Sequence, residues 1–109
     1  MNVRLYVWQR GTAALLAPMV LAHIALIFYA TLHGLSAADI FGRTRGSIAW
    51  GAFYGAFVAA AAIHASIGIR TILAEWSPLG HKASARLSVA FGALLVALGA
   101  RAVFAVVIG

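Results

Sequence analysis

The chain has 109 residues, of which 64% are hydrophobic and only 9% charged, and its mean hydropathy is +1.00. A water-soluble domain carries roughly a quarter of its residues as charges, so this composition excludes water as the main solvent and points to a lipid bilayer. Eight Lys and Arg stand against two acids, scattered through apolar runs rather than gathered into the basic patch of a nucleic-acid binder, and there is no cysteine for disulfides, thiolate zinc or iron–sulfur ligation.

Residues 1–11, with Tyr6 and Trp8, read as a short interfacial helix. The first apolar run covers residues 12–32. It is too long for the h-region of a cleavable signal peptide, so it is expected to remain in the mature protein. Pro18 within it should kink the helix and free the carbonyl of Ala14. A loop over 34–46 leads to the second and longest run, 47–73, which has enough length to tilt or to enter the interface. Gly51 and Gly55 are spaced there for close approach of another helix backbone, and the alanines of 59–62 extend a smooth surface. A loop over 75–86, broken by Pro78 and Gly80, precedes the third run, 87–108.

Each run reaches the roughly 20 residues that cross a hydrocarbon core as a helix. The expected fold is an all-α membrane protein, a single domain of three transmembrane helices within a larger helical bundle. Arg4, Arg10, Arg70, Lys82 and Arg86 flank one side of the membrane and Arg43 and Arg45 the other, which predicts a cytoplasmic N-terminus for a multi-pass protein.

Polar side chains at membrane depth are costly and mark function. His64 lies well inside the second run. It either hydrogen-bonds a neighbouring helix or ligates a metal, and haem suits a lone histidine because the porphyrin supplies four ligands and the protein only the axial ones. Gly68, one turn on, would let a flat macrocycle lie against the helix, and Arg70 at the boundary suits a haem propionate. His23, near the middle of the first run, sits about 8 Å deeper than His64 when counted from the helix ends, too far for both to clamp one iron. His33 and His81 read as solvated interface residues, and the acids Asp39 and Glu75 fall on opposite sides of the membrane, which excludes paired-carboxylate or triad hydrolysis.

The stretch His64-Ala-Ser-Ile-Gly-Ile-Arg-Thr-Ile-Leu-Ala-Glu-Trp76 resembles the second-helix motif of the membrane-anchor subunits of succinate dehydrogenase and fumarate reductase in its His, Gly, Arg and acidic–aromatic end. Gln9, Arg10, Thr12 and Ala13 resemble that family's entry to its first helix. The resemblance implies a cytochrome b anchor subunit of a succinate:quinone oxidoreductase in the inner (cytoplasmic) membrane. It would work with an iron–sulfur subunit, a flavoprotein subunit and a second membrane anchor, with ubiquinone or menaquinone as substrate. His64 inherits the role of axial ligand of haem b, and Arg10, Glu75 and Trp76 that of quinone-site residues. Some two-haem members carry a first-helix histidine, so the resemblance also suits His23 to a second haem, with Arg101 near its propionate. The chain departs from the pattern at Trp76, where some relatives have a tyrosine, and at Gln9 and Tyr6, where relatives have His and Ser. An indole N–H still donates to a quinone carbonyl but cannot deliver a proton as a phenol does. The competing readings are a haem-free structural anchor and a small membrane transporter or assembly protein.

Overall fold

The computed structural model describes residues 2–109. Asn2 opens the first helix, α1 (Val3–Leu32), its side-chain oxygen accepting the Leu5 N–H at 2.9 Å. The expected interfacial helix and the first span are one continuous rod of about 45 Å. Hydropathy marks only the part of a helix that suits lipid, whereas the hydrogen-bond ladder runs on into the polar first turns. Pro18 is accommodated inside α1 without interrupting it. The helix ends in a Schellman closure: Gly34 takes φ +60°, its N–H donates to Thr31 O, and the Leu35 N–H donates to Ala30 O.

The segment expected as a loop over 34–46 contains a short helix, α2 (Ala37–Thr44). Ser36 and Asp39 form a reciprocal capping box at its start. Gly46, at φ +73°, turns the chain into α3 (Ile48–Trp76), whose first turn is capped by Ser47. Ser77 is extended, as a residue before proline must be, and so ends α3. Helix α4 (His81–Val107) starts six residues before the apolar run that announced it. The connection between them is therefore shorter than expected, Ser77 to Gly80.

Helices α1, α3 and α4 are each long and apolar enough to cross a membrane. Helix α3 is central; it packs along α4 and, less extensively, along α1. The α3–α4 seam is made of small residues. Ser84 and Ser88 are buried, and the Ser66 hydroxyl donates to Ser88 O at 2.8 Å. A Cβ at Gly92 would meet Ser66 Cβ at 3.1 Å, and one at Gly99 would collide with the Val58 methyls. Close approach is thus carried by Gly92 and Gly99 on α4. Of the expected pair, Gly51 only faces the Val107 side chain, while Gly55 faces open space.

The far end of α4 is closed by the α2–α3 corner. The Thr44 hydroxyl donates to Val106 O at 2.6 Å and the Gly46 N–H to Val107 O at 2.7 Å, which satisfies two of the carbonyls that a helix terminus leaves unpaired. Only Met19, Ala60, Ala62 and Ile67 are buried among the apolar residues described. Large aliphatic and aromatic side chains cover the outside, an arrangement that lipid and neighbouring helices stabilise and water does not.

Candidate functional site

Helices α1 and α3 run antiparallel, and their register brings Thr12 level with His64 and Gln9 level with Gly68. Thr12 is buried at 6% exposure, one turn beyond Trp8 on the face that meets α3. Its hydroxyl donates to Trp8 O at 2.7 Å, with Gln9 O further off at 3.2 Å, and lies 3.2 Å from His64 Nδ1. The ring of His64 is half-buried, held through Nδ1. Its Nε2 is neither hydrogen-bonded nor among the enclosed polar atoms of the described residues. Gly68 leaves room beside it, but α1 uses that room: Gln9 Nε2 lies 3.5 Å from where a Cβ at 68 would stand. On the side of Gly68 that meets α1, the neighbour is therefore the flexible Gln9 side chain at ordinary van der Waals distance.

Arg10, Arg70, Glu75 and Trp76 occupy the same end of the bundle as the N-terminus, and all four are exposed, Trp76 at 84%. Arg10 Nε donates to Tyr6 Oη at 3.2 Å, and its guanidinium lies 5.4 Å from the centre of the Tyr6 ring. The register places Arg10 level with Ile67, whereas Glu75 is level with the start of α1, so the two are about 12 Å apart along the axis. Within this chain they form no closed pocket; they line one surface near the membrane boundary.

His23 lies at the opposite end of the α1–α3 contact. Its ring meets Tyr54 and Phe57 edge-on, with centroids 5.8 and 5.6 Å away. This register puts His23 and His64 about 10–16 Å apart along the bundle, more than the offset expected from helix ends. His23 Nδ1 is enclosed and has no hydrogen-bond partner. Beside it is a cavity of about 480 Å³, lined by Trp50, Tyr54, Phe57, Val103 and Arg43 among others. Arg101 does not line the cavity; its neighbours Ala102 and Val103 do, and Arg101 faces outward. The cation at this cavity is Arg43.

The sequence alone shows neither the contact of Thr12 with His64 nor the place of Tyr54 and Arg43 beside His23. Thr12 was visible two residues after Arg10 in the first-helix motif, but its partner depends on helix register, which hydropathy does not encode. In the sequence Arg43 reads only as a flanking charge. Among the described residues no three His, Cys, Asp or Glu come together in one cluster.

Three membrane-spanning helices with histidines inside the spans and a tethered imidazole define an integral membrane subunit with its polar chemistry at helix–helix contacts. The family model described as succinate dehydrogenase/fumarate reductase transmembrane subunit matches residues 1–106, and the chain belongs to that family. No curated protein and no solved structure matches it significantly.

Proposed function

We propose that this chain is the cytochrome b anchor of a succinate:quinone oxidoreductase, with His64 as an axial ligand of haem b. The observation that supports it most is the state of the His64 ring: one nitrogen is tied to Thr12 and the other is left free at the bundle surface. An axial ligand to a porphyrin needs that arrangement, one fixed nitrogen and one available lone pair. Haem b, when bound, supplies a one-electron store within the membrane. His64 donates the lone pair, and Arg70, one helical turn and a half toward the N-terminal end of the bundle, is the cation for a propionate. Any further protein ligand to that iron would have to come from another subunit, since His23 lies too far along the bundle to share it.

Arg10, Glu75 and Trp76 form this chain's share of a quinone site on the membrane side that faces an iron–sulfur subunit, which in turn receives electrons from a flavoprotein. Arg10 and the Trp76 indole are donors to quinone carbonyls, and Glu75 is the one carboxylate at that end able to carry a proton. Tyr6 holds Arg10 in place. This orientation puts the N-terminus in the cytoplasm and the chain in the inner membrane, with ubiquinone or menaquinone as the electron acceptor or donor.

The reduced-minus-oxidised spectrum of the intact complex tests the reading. His64→Ala should remove a b-type band while the complex still assembles; an unchanged band would mean that His64 is structural and the chain a haem-free anchor. Arg10→Ala should slow quinone reduction at least tenfold and spare succinate oxidation by an artificial acceptor. A second reading is favoured by the cavity: His23 with its unpartnered Nδ1, an apolar hollow and Arg43 suit a second haem. His23→Ala should then lower the haem-to-flavin ratio by one.

A further inference from the structure

The Thr12 hydroxyl stands between the α1 backbone and the His64 ring. Its hydroxyl carries a single proton. Trp8 O, four residues back and 2.7 Å away, is the nearer of its two carbonyl acceptors and takes that proton. The hydroxyl oxygen then faces His64 Nδ1 at 3.2 Å with only lone pairs to offer, so the contact is made only if Nδ1 bears the hydrogen. The reverse arrangement would break the shorter bond to Trp8 and place an Nε2–H on the lipid- or partner-facing side of the ring, where the described residues offer no acceptor. Thr12 is buried at 6% exposure, so water does not compete for either bond.

We infer that Thr12 is a positioning residue for His64: by accepting the Nδ1–H it selects the tautomer whose Nε2 lone pair is free, fixes the ring plane and strengthens the imidazole as an electron donor. This rests on the proposed haem ligation by His64. A ligand whose far N–H is hydrogen-bonded has more imidazolate character and favours the ferric state, so losing the bond moves the haem potential upward. The anchoring also extends to the backbone. Because Thr12 leans on Trp8 O, the ligand is referenced to the first turns of α1 rather than to its own helix α3.

The experiment compares Thr12→Val, which keeps shape and removes the hydroxyl, with Thr12→Ser, which restores it, in intact membrane complexes matched by flavin content. Redox titration of the b-type absorbance and low-temperature EPR of the oxidised haem are the readouts. Thr12→Val should raise the midpoint potential and shift the low-spin EPR signal, or release the haem, and Thr12→Ser should bring each back toward the parent. A Thr12→Val complex with parental potential and EPR signal would overturn the inference, as would equal haem loss in both variants. His64→Ala is run beside them. If it retains the haem band, ligation by His64 itself is wrong; if it loses the band while Thr12→Val is silent, only the role of Thr12 fails.

Discussion

A methyl group added at Gly99 would run into Val58, whose β-branched side chain has little rotamer freedom to move aside. Gly99→Ala should therefore loosen the α3–α4 seam by about 1–3 kcal/mol, read as a lower unfolding midpoint in detergent micelles. Val58→Ala in the same chain should recover most of that loss, because it removes the methyls that clash. Gly55→Ala, with open space around it, should leave the midpoint unchanged or slightly raised. The contrast shows what a spacing motif conveys. Gly51 and Gly55 have the textual signature of a helix contact, yet the signature does not say which side of α3 meets α4. Gly92 and Gly99, seven residues apart on α4, carry the contact and were equally present in the sequence. The same limit applied to His64: its depth and its isolation were legible, whereas its partner Thr12 and the Gln9 amide over Gly68 depend on a register fixed only by packing.

Helix α2 illustrates both what a short element reveals and what hides it. Its capping box, Ser36 with Asp39, was readable, but eight residues of mixed polarity inside an interhelical segment carry no membrane signal. The Asp39 carboxyl is held below its ordinary value of 3.8, first by the Ser36 backbone N–H, then by the Ser36 hydroxyl, with Arg43 adding to the effect. A carboxyl depressed on folding stabilises the folded form fully above the unfolded value, and that contribution fades as pH falls through the lower folded one. Backbone chemical shifts of residues 37–40 should therefore stay helical at neutral pH and drift toward coil only in strong acid. Asp39→Asn should weaken the start of α2 at neutral pH and abolish the drift. The long helices gave the opposite error. Their existence and order followed from three apolar runs, but α1 and α4 begin nine and six residues before those runs, because polar first turns continue a helix that hydropathy cannot see.

Across the whole molecule, three helices long and apolar enough to cross a membrane follow one another, an odd number of spans that predicts Val3 and Val107 on opposite sides. Reporter fusions should find the N-terminus and the α3–α4 connection together on the side rich in Arg and Lys, and the α2 corner with α4's end on the other; a reporter on α2 sharing the N-terminal side would refute the orientation. The apolar exterior has a further consequence. Little of α1 is covered except where it meets α3, so its other flank is left for lipid or a second anchor. Helix α1 also continues unbroken from Val3 past Thr12, and its first nine residues stand roughly 13 Å beyond the apolar run. By the register of the two helices those turns lie alongside the last turns of α3, so the opening of α1 is braced by its neighbour. A shift of that end of the bundle would therefore reach, along one unbroken helix, the hydroxyl beside His64.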